Sequence, residues 1–488
     1  MTPEPSIAKR ELDRSLVHGI AWVGGLRTVT KVIQWAATLL VVRLLAPSDY
    51  GLVAMAEVYL ALARMVTDLG LGSAIIQHRH LSEEQVARVG GVSAGLGALL
   101  FLLSLAAAPL VARIFGEPEV GSIIVVLSIT LPVGGYESIL RALLKRDLEF
   151  RRIGWLNMIE NLTGAFTSLG LAALGFGFWS LVYGAVAGKL TATVVVMTWR
   201  RHRITWPREL HTVREQLWFG WNVLLSRIAL YVRRLSDVTV VGRVLGSSLL
   251  GIYNVAWTVA NLPVDRVTSI ALDVTPAVFA SAKDDDGALR RYLRLATEGV
   301  SLFAFPATIG LAVVAEEFVL LVLGETWSQA VVPLQILAIT AALRSITPFL
   351  SQVLIATEQP RREMLFSLAG ALVLPVLFLV GSRWGIEGVA IGWLIGHPMV
   401  GVPMLLLPAL RAVGMSAREY LVALMPATLA SSATATTVLL VQSIMPMEWP
   451  LLTSLLLKVS AGVVVYALVA GPALRKRLRA LAALRRPA

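Results

Sequence analysis

Arg27, Lys31 and Gln34 are spaced i, i+4 and i+7, which sets a guanidinium, an ammonium and an amide on one face of a helix. Arg227, Tyr231 and Arg234 repeat that spacing at an offset of 200 residues. Arg64 stands near Asp68, and Arg266 follows Asp265 and precedes Asp273, all in strongly apolar surroundings. A planar guanidinium meets a phosphate through two charge-assisted hydrogen bonds at once, so these groups suit an anion such as a diphosphate. Arg27, Lys31 and Arg227 have no acid three or four positions away. Arg64 has Asp68 and Arg234 has Asp237 within a turn, so structural ion pairs explain those two equally well. Asp68, Asp237 and Asp273 are candidates to exchange a proton or to hold sodium. Glu137, Glu160, Glu298 and His397 belong to the same class, each with an alternative role as a structural partner. Arg233 and Arg344 also lie in apolar stretches, and Lys189 and Lys458 are long enough to reach an interface.

What positions these groups is a membrane-embedded scaffold. The 488 residues are 56% hydrophobic and 15% charged, and their mean hydropathy is +0.74, too apolar for soluble domains. Apolar runs long enough to cross the hydrocarbon layer succeed one another near 17–44, 50–76, 85–112, 120–141, 153–175, 177–199 and 214–242. They continue near 248–279, 292–314, 328–356, 363–382, 385–410, 418–444 and 450–473. Backbone polar groups cannot go unsatisfied in lipid, so the expectation is an all-α, polytopic transmembrane helix bundle of about fourteen spans. Ser82, followed by Glu83 and Glu84, predicts a capped helix start. Residues 1–16 lack the apolar core of a signal peptide and read as a lead-in to the first span.

Lysine and arginine then orient the chain. With the N-terminus inside, Lys9, Arg10, Arg151, Arg152, Arg200, Arg201, Arg290, Arg291, Arg361, Arg362 and the tail from Arg475 to Arg486 all fall inside. Arg43, Arg113, Arg243 and Arg383 are left outside, together with Glu117, Glu119, Glu316, Glu317, Glu325 and Glu448. Both termini are therefore expected in the cytoplasm, and the net charge of +12 reflects membrane topology rather than nucleic acid. No cysteine is present, which excludes disulfide and thiol chemistry. No phosphate-binding glycine loop, dinucleotide fingerprint or metal-ligand spacing occurs, and Asp284, Asp285 and Asp286 read as a solvated loop. Nothing points to an enzyme or to a bound metal or cofactor.

An internal repeat organises the spans. RLLAPSDYGLV from Arg43 aligns with RVLGSSLLGIY from Arg243, placing Gly51 on Gly251. At an offset of 208, Gly116-Glu117 meets Gly324-Glu325, and Gly177, Gly184 and Gly188 meet Gly385, Gly392 and Gly396. Arg151-Arg152 and Arg361-Arg362 mark the fourth-to-fifth joint of each repeat. Six spans per repeat give two parallel lobes with a cavity between them, over residues 1–205 and 206–415. Residues 416–488 add two helices and a basic tail.

The stretch RLLAPSDYGLVAMAEVYLALARMVTDLGLGSAIIQ, residues 43–77, resembles the Wzx-like polysaccharide-exporter branch of the multidrug/oligosaccharidyl-lipid/polysaccharide flippase superfamily. LSEEQ at 81–85, APLVARIFGEPEV at 108–120, LLKRDLEF at 143–150 and FGFWSLVYG at 176–184 are similar to the same branch. The resemblance implies an inner-membrane flippase that exports undecaprenyl-diphosphate-linked oligosaccharide by alternating access. It also implies cationic cavity residues on the first, second, seventh and eighth spans, here Arg27, Lys31, Arg64, Arg227, Arg234 and Arg266. An ion gradient or the membrane potential would drive the cycle, and polysaccharide polymerase and other assembly proteins are the implied partners. Two alternatives are a peptidoglycan-precursor flippase of the same superfamily and a membrane polymerase or ligase. The second would need a sizeable catalytic outer loop, whereas the outer loops here span a few residues. A drug antiporter would need acids in place of the six basic residues.

Overall fold

The computed structural model describes residues 33–77, 81–200, 205, 214–272, 275–283, 285–446 and 449–484. These residues contain helices, turns and short connections and no strand. The chain divides into two compact units, Met1–Ile228 and Ala229–Ala488.

Unit 1 contains α1 (Ile33–Leu44), α2 (Pro47–Asp68), α3 (Leu71–Gln77), α4 (Glu83–Phe115), α5 (Pro118–Ser128), α6 (Thr130–Arg146), α7 (Phe150–Ala173) and α8 (Phe178–Trp199). The unit boundary falls inside α9 (Arg214–Leu272), whose helical geometry breaks at Gly246. Unit 2 continues with α10 (Thr275–Ser281), α11 (Asp286–Val313), α12 (Ala315–Phe318), α13 (Val331–Arg344), α14 (Thr347–Ala356) and α15 (Pro360–Gly381). It ends with α16 (Gly385–Gly401), α17 (Leu407–Ala412), α18 (Ala417–Ile444) and α19 (Leu451–Leu484). Among the described residues, eight helices are long and apolar enough to cross a membrane, or up to ten when each bent pair counts as one span. Helix breaks subdivide several of the long runs, so length and apolarity do not by themselves return fourteen crossings.

Local chemistry explains the helix ends. Ser82 accepts from the Gln85 backbone at 3.2 Å while the Gln85 side chain accepts from the Ser82 backbone at 3.0 Å, a reciprocal cap ahead of Glu83 and Glu84. Pro47, Pro118 and Pro360 begin helices at the position where a missing N–H does no harm. The repeat is visible in the backbone. Gly116 and Gly324 have φ of +78° and +102°, and Gly177 and Gly385 have +54° and +72°. Leu148 and Glu358, one at each fourth-to-fifth joint, both sit in the left-handed region at +59° and +57°. The helix break at Ala46 matches the one at Gly246, again at an offset of 200.

Packing inside unit 1 depends on small residues. A Cβ on Gly97 would lie 2.5 Å from the Leu131 carbonyl oxygen, and one on Gly188 would lie 2.6 Å from that of Glu160. The buried Ser93 hydroxyl donates to the Gly135 carbonyl at 2.9 Å, joining α4 to α6. Leu71, Val86, Val89, Ile139, Leu140 and Leu156 fill the core around them. In unit 2 the core gathers Phe279, Leu289, Leu293, Phe349, Val353 and Phe366. A second cluster, with Leu302, Phe305, Ala427, Ala430 and Ala470, seats α18 and α19 on α11. The outer faces are apolar as well. Only 22% of the most apolar window of α4 and 11% of that of α19 are buried in protein, and Leu102, Leu103, Leu110, Val463, Val464 and Leu468 are exposed on faces suited to lipid.

Lys458 of α19 is 2% exposed and pairs with Glu317 of α12, which also accepts from Ser454 at 3.3 Å. The expectation of a snorkelling Lys458 is thus corrected. Its counter-charge is within reach inside the protein, so it does not have to extend to water.

Candidate functional site

Helix α9 carries a polar stripe in unit 2. Arg233 and Asp237 are four residues apart, and Tyr253, Trp257 and Asn261 follow the Gly246 break at intervals of four. Asp237 is 1% exposed and accepts from Tyr253 Oη at 2.9 Å, Trp393 Nε1 at 2.8 Å and the Val238 backbone at 2.8 Å. Arg344, in the last turn of α13, is favoured there by the negative end of the helix dipole. Its guanidinium carbon lies 4.6 Å from the Trp257 ring centre and 4.9 Å from that of Trp393, and its Nη1 faces Asn261 Oδ1 at 3.4 Å. Such cation–π placement partly replaces the water that the guanidinium gives up.

Arg233 projects its guanidinium over Phe366 at 4.7 Å, with its chain laid against Gly370, where a Cβ would collide with it. Its Nε is buried and makes no hydrogen bond among the described residues. Arg233, Arg234 and Arg344 act on one another electrostatically, and Asp237 and Glu363 are the opposing charges. Three guanidiniums against two carboxylates leave an excess of positive charge. His397 joins the same neighbourhood through a 3.0 Å contact with the Thr347 hydroxyl and an edge-on ring contact with Phe366.

Unit 1 holds its charges differently. Glu137 on α6 is fully buried and pairs with Arg141, with Lys189 at 2.8 Å and with the Thr193 hydroxyl at 2.7 Å. Arg141 also donates to Asn157 at 2.6 Å and to Glu160 at 2.5 Å, and Lys189 stands 3.9 Å from Glu160. Two bases and two acids cancel. An unpaired buried carboxylate would cost several kcal/mol, and here every oxygen of Glu137 is occupied.

The predicted site residues divide by location. Arg27, Lys31 and Asp273 lie outside the described residues, and Arg227 is placed on α9 without a described side chain. Arg64 is exposed on α2 and pairs with Glu57, seven residues earlier, rather than with Asp68. Asp68 is half-buried near the end of α2. Arg234 and Arg266 are exposed and form no ion pair among the described residues. The expected Arg234–Asp237 pair is not formed, because the Asp237 carboxylate is turned inward and already accepts three hydrogen bonds. Sequence spacing alone did not single out Arg233 and Arg344 over the other intramembrane bases. Their environment comes from Phe366 and Trp393, which are distant in the chain, although the Tyr253, Trp257 and Asn261 stripe was available as a local signal.

Residues 40–332 match a family described as polysaccharide biosynthesis protein. The lipopolysaccharide biosynthesis protein WzxC of Escherichia coli (strain K12) is 28% identical over 389 residues, covering 78% of each chain. The teichuronic acid biosynthesis protein TuaB of Bacillus subtilis (strain 168) is 26% identical over 346 residues, covering 70% of each. In fold, the chain is similar to the lipid II flippase MurJ in an inward closed conformation. The TM-score is 0.74 at 15% identity, over 93% of this chain and 99% of that one.

Proposed function

Since the chain belongs to the polysaccharide biosynthesis protein family, we propose that it is a flippase moving undecaprenyl-diphosphate-linked oligosaccharide from the cytoplasmic to the outer leaflet of the inner membrane. The observation that carries this reading is the excess of guanidinium in unit 2, where among the described residues Arg233, Arg234 and Arg344 are opposed by Asp237 and Glu363. A diphosphate is a compact, multiply charged anion, and guanidiniums already held against aromatic rings can meet it without first being ordered. Arg27, Lys31, Arg64, Arg227 and Arg266 extend the basic set in this proposal. Two lobes, bounded near 205 and 415, rock to alternate access, with the tail in lipid and both chain ends in the cytoplasm. Asp68 and Asp273 are the acids proposed to couple the cycle to a proton or sodium gradient. Asp237, enclosed by three donors, fits a structural role better.

A second reading is a peptidoglycan-precursor flippase, favoured by the fold likeness to MurJ. The sequence relatives WzxC and TuaB favour the polysaccharide reading. The test is a strain lacking the gene, with lipid-linked units assayed for leaflet accessibility. The expected result is build-up of complete oligosaccharide units on the cytoplasmic face, relieved by the wild-type gene and not by Arg233→Gln with Arg344→Gln. Normal arrival of the units outside overturns the reading. Build-up of peptidoglycan precursor instead moves the assignment to the second one.

A further inference from the structure

Unit 1 holds an open pocket of about 480 Å³ walled by α1, α2, α7 and α8, with Leu127 of α5 and Thr130 of α6 at its edge. That volume lies within the range of small-molecule sites, about 300–1,000 Å³. Arg64, Lys189 and Glu160 reach its lining, yet each arrives with its own counter-charge: Glu57, Glu137 and Arg141 respectively. Unlike the cluster in unit 2, the pocket therefore has little net charge to offer an anion. It offers neutral hydrogen-bonding capacity instead.

Gln34 lines the pocket with its Oε1 buried and without a hydrogen-bond partner among the described residues, and its Nε2 reaches Asn161 Oδ1 only at 3.4 Å. Glu160 spends one oxygen on Arg141 and has the other 3.9 Å from Lys189, beyond hydrogen-bonding range. The Ser168 hydroxyl adds a group that can donate or accept. Gly164, Gly184 and Gly188 let α7 and α8 approach closely at the pocket wall, where a Cβ on Gly188 would meet the Glu160 carbonyl oxygen. Amides and a carboxylate, each with unused donor or acceptor positions, match the adjacent hydroxyls of a pyranose, which donate and accept in pairs.

We infer that this pocket is a subsite for an uncharged sugar ring of the transported glycolipid, bound through its hydroxyls by Gln34, Asn161 and Glu160. The inference rests on the flippase reading and assigns the glycan to unit 1, where Arg64 of the proposed basic set is already held by Glu57, while Arg233 and Arg344 of unit 2 take the diphosphate. Ala165 lines the same pocket, and a tryptophan there fills the space while leaving each of these polar groups in place.

The experiment measures binding to the full-length protein in nanodiscs. The probes are a fifteen-carbon polyprenyl diphosphate, bare or carrying one hexose or one N-acetylhexosamine. Wild type is expected to prefer at least one sugar-bearing probe over the bare one by about tenfold. Ala165→Trp should erase that preference and leave affinity for the bare probe unchanged. Gln34→Leu with Asn161→Leu should do the same, and serves if the tryptophan variant does not fold. Arg344→Gln should weaken all probes equally. Absence of any preference in wild type, or equal loss of bare and sugar-bearing probes in the pocket variants, overturns the subsite. The flippase reading fails separately, on leaflet accessibility, so a sugar preference without translocation would retain the subsite and discard the flippase.

Discussion

The two units share a backbone plan and differ in how they handle charge. The α6 and α14 helices end at Arg146 and Ala356, an offset of 210, and the following helices start at Phe150 and Pro360 with the same offset. On that register Glu137 matches Thr347, while Lys189 matches His397 at the offset of 208 fixed by Gly188 and Gly396. Unit 1 joins its pair as an ion pair of 2.8 Å, and unit 2 joins the equivalent positions by a 3.0 Å contact between a hydroxyl and an imidazole. The repeat thus preserves the contact and exchanges its chemistry. Unit 1 is then neutral overall in its interior network. Unit 2, with a neutral pair there, carries its charge elsewhere, on arginines held against Trp257, Trp393 and Phe366. One scaffold duplicated in this way can present a polar face in one copy and a cationic one in the other.

Removing single partners should break this comparison where a charge stands alone and barely touch it where a network takes over. Unit 2 has the isolated case. Lys458→Met leaves Glu317 buried without its cation and should cost about 3–5 kcal/mol, most of it regained in Lys458→Met with Glu317→Leu. Thermal unfolding of the purified variants in detergent measures both. Asp237→Asn should cost about 2–3 kcal/mol, since an amide cannot accept from Tyr253, Trp393 and the Val238 backbone as the carboxylate does. The emission of Trp393 and Trp257 should shift in the same variant, which separates it from a general loss of fold. In unit 1, Lys189→Met should cost only about 1–2 kcal/mol, because Arg141 and Thr193 remain on Glu137. A loss as large as that of Lys458→Met would mean the network is no more tolerant than the isolated pair. Thr347→Val should be the mildest, about 1 kcal/mol, with His397 losing one partner.

Much of the architecture was legible before any coordinates. Ser82 with its acidic first turn and the glycines at 116, 177, 324 and 385 act through local backbone chemistry, which sequence reports directly. The helical character of the long apolar runs follows in the same way, since lipid leaves the backbone few options. The site was less legible, because the partner of a buried charge is chosen in three dimensions. Lys458 and Glu317 are separated by 141 residues and meet inside the fold. Asp237 prefers Trp393, 156 residues away, over the arginine three positions before it. Spacing rules weigh only near neighbours along a helix, so Arg64 was matched with Asp68, whereas two turns of α2 bring Glu57 to it.

The buried ion pair between α19 and α12 has a mechanical side. The membrane-crossing stretch of α19, Leu451–Pro472, has 22 residues and is about 33 Å long, a little more than a hydrocarbon layer of about 30 Å. Only 11% of its apolar window is buried in protein, so its tilt responds to bilayer thickness as well as to its packing on α11 and α18. Lys458 pins that stretch to Glu317 about two turns in from its start, so a change in tilt acts on the pin as a lever acts on its fulcrum. Acyl-chain length thereby becomes a load that the surrounding membrane applies to this end of unit 2.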